Sequence, residues 1–320
     1  MDPTPNISRR LDLHVPPPAR PIGHVQQARA HNRAWITSHH LLPPETSAEK
    51  YLARFAEGTM DMFPDLTGPA LDLAVDLISW FVVYDDLNDT PEGVALAGEL
   101  TNVLYPGRSE TSPRHITGAF ADLWARECAD MPDSWRRHAR QHWQELFDAS
   151  CYEAINRYTD VYLDLKSYMQ HRRTTINFTT ALDFAETIDE STLADRLRHT
   201  PEFQQLTDRF LDVCGLVNDL YGLDIDDDRV DPNSNVVFVL QRQQDCDRTS
   251  AVAIAEDLLQ QRADQYRAAR HQIIDLGQRI DLSDLERQAL NRQINTMNNI
   301  IWVTATYGPR QCRYTGVPPR

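Results

Sequence analysis

Apolar residues recur at every third or fourth position along most of the chain, from about residue 26 onward. The stretch SAVAIAEDLLQQRADQY shows this spacing, with acidic residues and an arginine between the apolar positions. Such spacing gives an α-helix one apolar face, whereas the alternation typical of β-strands is scarce. The pattern predicts long helices, each too long for a strand, over residues 69–88, 202–226, 250–275 and 283–306.

Short polar clusters that contain proline, such as TSPRH, MPDSW and DPNSN, separate the apolar segments. Proline and polar turn residues end helices, so these clusters mark the connections between them. The sequence has no internal repeat with the period of a helical solenoid. We therefore expect an all-α fold, in which residues 26–320 form a single-domain helical bundle with core helices that are apolar around most of their circumference.

The first 25 residues differ from the rest, because they contain six of the 19 prolines. Proline fixes φ and lacks the amide hydrogen that a helix needs, so this segment is expected to be extended or mobile rather than helical. We expect residues 1–25 to form a proline-rich N-terminal tail that precedes the helical domain.

The net charge of the chain limits the kinds of molecule that it can bind. The chain carries 47 acidic and 32 basic residues, a net charge of −15, and only two of the basic residues are lysines. A protein this acidic repels nucleic acid and anionic lipid, whereas it suits a divalent cation or an anionic substrate that arrives with one. No nucleic-acid partner is therefore expected.

The cysteines and the apolar segments argue against several further classes. The five cysteines are scattered and form no CxxC pair, which disfavours a zinc site or a disulfide framework. No apolar run approaches the ~20 residues that a membrane-spanning helix needs, and the N-terminus lacks the apolar core of a signal peptide. We expect a cytoplasmic protein with no membrane span.

An acidic cluster ends the apolar segment 69–88, in the sequence WFVVYDDLND. Asp85 and Asp89 are four residues apart and share one face of a helix, where two carboxylates repel each other unless a cation lies between them. Magnesium takes a few carboxylate oxygens and completes its octahedron with water and phosphate oxygens. A helix that simply ends in solvated acids is the alternative, but the aromatic and β-branched residues before the cluster favour a metal site.

A second polar cluster, NDLYGLDIDDD, begins at Asn218. Asn218, Gly222 and Asp226 follow one another at four-residue spacing and lie along one stripe of a helix. Asn218 and Asp226 offer oxygen ligands for Mg²⁺, whereas Gly222 offers none and costs about 1 kcal/mol in a helix relative to alanine. An irregular helix end would explain the glycine equally well. Asp219 points away from this stripe, as an ordinary polar residue or a neighbour of the ligands.

Arginines accompany the two acidic clusters. Arg172 and Arg173 lie in YMQHRRTTINF, and Arg313 precedes Tyr314 in YGPRQCRY near the C-terminus. A guanidinium group bonds two phosphate oxygens at once, so these residues suit a diphosphate held by metal ions. A solvated surface position is the plainer interpretation of each arginine taken alone.

Together these segments resemble the bacterial class I terpene synthases, or terpene cyclases, over roughly residues 17–314. WFVVYDDLND is similar to the family's aspartate-rich motif DDxxD, NDLYGLDID to its second metal motif NDxxSxxxE, RRTTIN to the segment with its pyrophosphate-sensing arginine, and CRY to its C-terminal arginine–tyrosine pair. The resemblance implies a helical bundle with a central apolar active-site cavity and three Mg²⁺ ions, with Mn²⁺ as a substitute. It also implies cyclisation of a linear prenyl diphosphate to a terpene hydrocarbon or alcohol, and it slightly favours farnesyl diphosphate as the substrate, with geranylgeranyl diphosphate as the alternative.

The resemblance divides the metal ligands between the two motifs. Asp85 would bridge two Mg²⁺ ions, with Asp89 nearby as a weaker contributor. Asn218 and Asp226 would bind the third ion.

The resemblance also assigns residues to the diphosphate. Arg172 would sense it, and Arg313 and Tyr314 would hydrogen-bond it when the site closes. Thr175 and Ile176 would take the linker and effector positions that follow the sensor, at a helix break that triggers ionisation.

Several positions depart from the family pattern. Gly222 replaces the usual serine or threonine ligand, and Asp226 replaces a glutamate with a shorter side chain, so both bear on the third metal site. Asn177 and Tyr307 stand where glycine and tryptophan are frequent.

A carbocation must be kept from bulk water, so the cavity should be apolar. Aromatic faces stabilise a positive charge by about 0.5–2 kcal/mol each. The candidates for this wall are Phe81, Phe178, Trp302 and Tyr307, and ordinary core packing is the alternative for each.

Two alternatives remain beside a cyclase. A chain-elongating isoprenyl diphosphate synthase has a second DDxxD motif, which DDRVD at residues 227–231 matches formally. Such enzymes also hold a second diphosphate with basic residues near the N-terminus, and nothing similar occurs here. A catalytically decayed, cyclase-like helical protein would explain Gly222 and Asp226.

The sequence leaves the oligomeric state open, with a homodimer as one option.

Overall fold

The computed structural model describes residues 22–42, 55–88, 93–105, 107, 114–159, 161–188, 192–226 and 233–307. Within these ranges the regular elements are α-helices, and no β-strand occurs among them. The helices are α1 (Ile22–Ser38), α2 (Phe55–Met62), α3 (Gly68–Asn88), α4 (Gly93–Val103), α5 (His115–Cys128), α6 (Asp133–Thr159), α7 (Leu165–Thr175), α8 (Phe178–Ala185), α9 (Asp195–Arg198), α10 (Pro201–Asp226), α11 (Val236–Gln244), α12 (Arg248–Arg279) and α13 (Asp284–Tyr307). Two compact units divide this part of the chain, one with α1–α6 and one with α7–α13.

The four long helices predicted from the sequence are confirmed as α3, α10, α12 and α13. Helix α1 begins at Ile22, directly after Pro21, four residues before the predicted start of the helical domain. Pro21 is the last proline of the N-terminal segment, and proline is tolerated at the start of a helix but not inside one. The rest of the predicted tail, residues 1–21, lies outside the described residues.

None of the described helices combines the length and the apolar composition that a bilayer crossing requires.

In the first unit, α3 packs against α1, α2, α4 and α5. The Trp80 ring stacks on Tyr84 and on Phe120, with centroid distances of 5.2 and 4.8 Å. Trp143 and Phe147 of α6 meet these rings edge-on. Stacked and edge-on rings each contribute beyond their buried area, so this aromatic core fixes the C-terminal half of α3.

A buried ion-pair network joins α1, α3 and α5. The Asp76 carboxylate accepts hydrogen bonds from Asn32 Nδ2 at 2.9 Å and Arg126 Nη1 at 3.0 Å, and it lies 3.0 Å from His31 Nε2. Burial raises the pKa of Asp76, and these partners oppose the rise. A buried carboxylate is destabilising without such partners, so the network fixes α1 against α3.

In the second unit, α10 packs against α7, α9, α11, α12 and α13. Helix α12 presents a buried residue at every third or fourth position, namely Ala251, Ala255, Leu259, Ala263 and Tyr266. This confirms the apolar spacing that predicted the helix. Helix α10 itself is buried around most of its circumference from Phe210 to Gly222, so a polar residue within that range must find partners inside the unit.

Candidate active site

Helix α3 leads from the aromatic core into the first acidic cluster. Tyr84 is buried, and burial raises the pKa of its hydroxyl group. The next residue, Asp85, is partly exposed, and Asp86 is exposed. The helix therefore passes from buried rings to accessible carboxylates within one turn, which is the arrangement expected from the sequence.

Helix α10 carries the second cluster. Asn218 is partly exposed and Gly222 is buried, one turn apart on the same helix. The helix continues to Asp226 and ends there. The backbone therefore keeps all three positions on one stripe, as the four-residue spacing predicts.

Arg172 of α7 reaches the second cluster. Its Nη2 atom donates a hydrogen bond to Asn218 Oδ1 at 2.7 Å, and its Nε atom donates to Asp219 Oδ1 at 2.9 Å. Its Nη1 atom donates to Thr175 Oγ1 at 3.4 Å. One guanidinium group thus contacts both the predicted metal ligand Asn218 and the predicted linker Thr175.

Arg173, the next residue, contacts a different set of carboxylates. Its Nε and Nη2 atoms bond the two oxygens of Asp212 at 2.7 and 3.1 Å, and its Nη1 atom bonds Asp208 at 2.7 Å. Asp212 is fully buried and also accepts a hydrogen bond from Arg209. The structure thus distinguishes two adjacent arginines, because Arg173 ties α7 to α10 and Arg172 lies at the second cluster.

Asp219 is a site residue whose importance the sequence reasoning missed. Its side chain is 1% exposed, and its Oδ2 atom accepts hydrogen bonds from Tyr168 Oη at 2.6 Å and the Val236 amide at 3.2 Å. Asn235 donates to its backbone carbonyl at 2.7 Å. Burial raises the pKa of the Asp219 carboxyl, and Arg172 and Tyr168 oppose the rise. The available signal was a carboxylate within FLDVCGLVNDLYGL, a helical stretch in which most residues are apolar.

A break separates α7 from α8 directly after the arginines. Helix α7 ends at Thr175, the Ile176 amide donates to the Arg172 carbonyl at 3.0 Å, and α8 begins at Phe178. Asn177 has a φ of 57°, in the left-handed region. Asparagine adopts this conformation more readily than most residues, which explains how it replaces the glycine frequent in the family.

The aromatic residues predicted to line a cavity lie on three different helices. The Phe81 ring lies 6.3 Å from that of Tyr84, and the Phe178 ring lies 6.2 Å from that of Phe210. Phe81, Phe178 and Trp302 are each only partly buried, unlike the rings of the first unit's core. The predicted residues that lie outside the described part are Asp89, Arg313 and Tyr314, together with the side chains of Asp226 and Tyr307.

The donor set of the two clusters fits a hard divalent cation. Their motifs, WFVVYDDLND and NDLYGLDID, offer carboxylate and amide oxygens and contain neither cysteine nor histidine. Oxygen donors of this kind suit Mg²⁺ and Mn²⁺. Arg172 beside Asn218 adds a guanidinium group to the second cluster, which suits an anion bound there.

Comparison with known proteins agrees with this geometry. The profile of the family "Terpene synthase family 2, C-terminal metal binding" matches residues 76–265, a range that contains both clusters and Arg172. Pentalenene synthase from Streptomyces arenae is 31% identical over 290 residues, which cover 88% of this chain and 86% of that protein. The (−)-β-caryophyllene synthase of Saccharothrix espanaensis, described as (2E,6E)-farnesyl diphosphate cyclizing, is 25% identical over 300 residues and covers 91% of this chain and 85% of that protein.

A solved structure shares the fold. The crystal structure of linalool/nerolidol synthase from Streptomyces clavuligerus in complex with 2-fluorogeranyl diphosphate matches with a TM-score of 0.82 at 23% identity. The match covers 91% of this chain and 100% of the linalool/nerolidol synthase chain. The all-α fold expected from the helical periodicity is thereby confirmed.

Proposed function

Because this chain belongs to the terpene synthase family, we propose that it ionises a linear prenyl diphosphate and cyclises the resulting carbocation to a terpene hydrocarbon or alcohol, with release of diphosphate. The proposal is carried by the 2.7 Å hydrogen bond from Arg172 Nη2 to Asn218 Oδ1. This contact places a cation suited to diphosphate beside an oxygen donor suited to a metal ion.

Divalent metal binding is assigned to the two acidic clusters. Asp85 and Asp89 would hold Mg²⁺ at the end of α3, and Asn218 and Asp226 would hold it at the end of α10. We expect three ions, with Mn²⁺ as a substitute. When bound, the ions supply the positive charge that makes diphosphate a better leaving group. Gly222 leaves the second cluster with one side-chain ligand fewer than the family pattern.

The protein's own cations and donors would bind the diphosphate as well. The Arg172 guanidinium is held by Asp219 through Nε, so its Nη atoms are oriented in advance. Arg313 and Tyr314 would add hydrogen bonds to the diphosphate oxygens. Donors that are already oriented stabilise developing negative charge without first having to reorganise.

Thr175 and Ile176 would connect diphosphate binding to the helix break. Arg172 is hydrogen-bonded to Thr175 through its side chain and to the Ile176 amide through its backbone carbonyl. A diphosphate bound to the Arg172 guanidinium would therefore compete with Thr175 for its Nη1 donor, one residue before the helix break. Asn177 keeps the chain in the conformation that separates α7 from α8.

Aromatic side chains would protect and stabilise the carbocation. The candidates are Phe81, Phe178, Trp302 and Tyr307, whose ring faces attract positive charge by cation–π interaction. An apolar surrounding also excludes water, which would otherwise quench the cation early. The product skeleton then depends on the contour that these side chains give to the cavity.

Farnesyl diphosphate is the substrate that we favour. The caryophyllene synthase relative is described as cyclising (2E,6E)-farnesyl diphosphate, and the linalool/nerolidol synthase structure contains an analogue of geranyl diphosphate. Both compounds are linear prenyl diphosphates, so the same leaving group and metal ligands serve either chain length.

The test is a product assay with purified protein and Mg²⁺. Geranyl, farnesyl and geranylgeranyl diphosphates are each supplied with and without isopentenyl diphosphate, and the extracts are analysed by gas chromatography and mass spectrometry. A cyclic product from farnesyl diphosphate alone supports the proposal. Longer linear diphosphates, formed only with isopentenyl diphosphate, would assign the chain to elongation, and the absence of turnover would assign it to a decayed protein.

Asp85→Ala serves as the matched inactive variant. The substitution removes a carboxylate from the partly exposed end of α3 and leaves the buried aromatic residues in place. Product formation should then fall below detection while the protein stays folded.

A cytoplasmic location and a homodimer stay predictions of the sequence. Fractionation and sedimentation of the wild-type protein would check them.

A further inference from the structure

We propose that Gly215 and Asp219, one turn apart on α10, act together as a positioning pair that sets the orientation of Arg172 for diphosphate. This inference rests on the proposed function, because it assigns these two residues to the same site. Neither residue belongs to the predicted ligands or to the predicted diphosphate contacts. They act through Arg172 and are therefore positioning residues.

Gly215 provides the room for the Arg172 stem. A Cβ atom at this position would lie 3.1 Å from Arg172 Cγ and 4.0 Å from its Nε. The first distance is tighter than an ordinary van der Waals contact, so alanine would displace the stem by a few tenths of an ångström. Gly215 is buried within a long helix and its φ is not left-handed. Backbone conformation therefore does not demand glycine there, but the close approach of Arg172 does.

Asp219 fixes the other end of the same side chain. Its Oδ1 atom accepts the Arg172 Nε hydrogen bond at 2.9 Å, while its Oδ2 atom is held by Tyr168 and by the Val236 amide. Tyr168 and Arg172 are four residues apart on α7 and so face α10 together. A carboxylate with donors on both oxygens has little freedom to rotate, so it presents Arg172 with a fixed acceptor.

The two contacts together determine where the guanidinium group points. A guanidinium group is planar, with its donors in a rigid fork, so fixing the stem at Cγ and the direction of the Nε–H bond toward Asp219 also fixes the directions of both Nη atoms. In the structure, Nη2 reaches Asn218 Oδ1 and Nη1 reaches Thr175 Oγ1. The positioning pair thus holds Arg172 at the edge of the second cluster rather than in the carboxylate set that Arg173 occupies.

The experiment measures binding of inorganic diphosphate by calorimetry in the presence of Mg²⁺. The variants are Gly215→Ala and Asp219→Asn, each made in the wild-type and in the Arg172→Ala background. The control is Gly118→Ala, because Gly118 is exposed on α5 and a Cβ atom there meets nothing within 4 Å. Melting temperatures of all variants are recorded alongside.

Each variant of the pair should weaken diphosphate binding by roughly ten- to hundredfold in the wild-type background, the range expected for a disturbed charge-assisted hydrogen bond. In the Arg172→Ala background the same substitutions should cause no further loss, because residues that act through one group are not additive. Gly118→Ala should bind like the wild type. Additional loss without Arg172, or unchanged binding in both variants, would overturn the inference.

Gly215→Ala keeps the test decisive if Asp219→Asn disturbs folding. The alanine substitution removes no hydrogen bond, and α10 gains a better helix former. A purely structural role of Gly215 would lower the melting temperature and leave diphosphate affinity unchanged, which would also overturn the inference. Failure of the proposed function is seen separately, as wild-type protein that binds diphosphate but forms no terpene from any prenyl diphosphate.

Discussion

Asn177 adopts a left-handed backbone conformation between α7 and α8, and its side chain accepts a hydrogen bond from Thr180 Oγ1 at 3.0 Å. The left-handed region costs about 1–2 kcal/mol for residues with a Cβ atom, less for asparagine and nothing for glycine. Asn177→Ala should therefore lower the free energy of unfolding by about 1 kcal/mol. Asn177→Gly should stay close to the wild type.

Urea denaturation of the two Asn177 variants checks this prediction. The glycine variant is the matched control, because it also lacks the asparagine side chain and differs from alanine by a single methyl group, whose absence permits the left-handed conformation. An alanine variant as stable as the glycine variant would show that the left-handed conformation is not what Asn177 provides.

At the scale of single residues, the sequence identified chemistry better than location. Arg172 and Arg173 are identical in type and adjacent. The family resemblance assigned Arg172 to the diphosphate, but nothing in the local sequence places Arg173 beside a buried aspartate. Asp219 appeared to be an ordinary polar residue for the same reason. Its value comes from Tyr168, Arg172 and Val236, which approach it from other helices.

Gly93 tightly constrains the junction after α3. A Cβ atom at Gly93, the first residue of α4, would lie 2.6 Å from the Asn88 carbonyl oxygen and 3.0 Å from Asn88 Oδ1. Asn88 is the last residue of α3 and belongs to the first acidic cluster. Gly93 therefore allows α4 to start close against the end of the helix that carries Asp85.

Gly93→Ala should destabilise the protein by about 1–3 kcal/mol, because a backbone atom must move to admit the methyl group. It should also reduce turnover, since the movement occurs at the first cluster. Gly98→Ala on the same helix is the matched control: Gly98 is exposed and its Cβ would meet nothing within 4 Å. That control should be neutral or more stable by up to about 1 kcal/mol. Equal stability of the two variants in chemical denaturation would contradict the prediction.

The sequence predicted the positions of the helices more accurately than it predicted the contacts of single residues. Helix formation depends on apolar periodicity and on proline and polar residues at the ends, which are local properties. For that reason α3, α10, α12 and α13 were found with small errors at their ends. The break at Asn177 was expected only through the family resemblance, because the residues RRTTINF do not by themselves demand one.

The stability of the whole molecule should depend on Glu186, which is 2% exposed. Its carboxylate contacts Arg198, the Leu193 amide and Gln293, and so joins the segments around α8, α9 and α13. Burial raises the pKa of Glu186 to about 7, and Arg198 opposes the rise. Between the ordinary carboxyl range and pH 7 the folded protein therefore holds a proton that the unfolded chain has lost.

This difference predicts that stability falls as pH rises. The proton uptake favours the folded state fully below the unfolded pKa, and the advantage is lost as pH increases through about 7. Its size is about 3 kcal/mol between pH 4.5 and pH 8.5, from the shift in pKa. Glu186→Gln should remove this contribution and flatten the pH profile of the unfolding free energy.

Glu286→Gln is the control for the pH measurement. Hydrogen bonds from Arg196 and Ser283 lower the pKa of Glu286 to about 2, so this group is ionised in both states above pH 5.5. Removing the Glu286 carboxylate should therefore not change how the unfolding free energy varies with pH between 5.5 and 8.5. If the unfolding free energy of Glu186→Gln falls with pH between 5.5 and 8.5 as steeply as that of the wild type, Glu186 does not cause the pH dependence.

The sequence by itself determined the helical class, the main helices, the oxygen-rich clusters at Asp85 and Asn218, and, through its motifs, the family. These properties are local, because spacing along a helix and the type of side chain are fixed by the chain itself. Only the tertiary structure showed that Arg173 binds buried Asp212, how closely the Arg172 side chain approaches Gly215, and which donors surround Asp219. Those assignments depend on atoms from α7, α10 and α11 that meet within about 3 Å. Helical periodicity shows which face of each helix is apolar, but it does not show which other helix packs against that face.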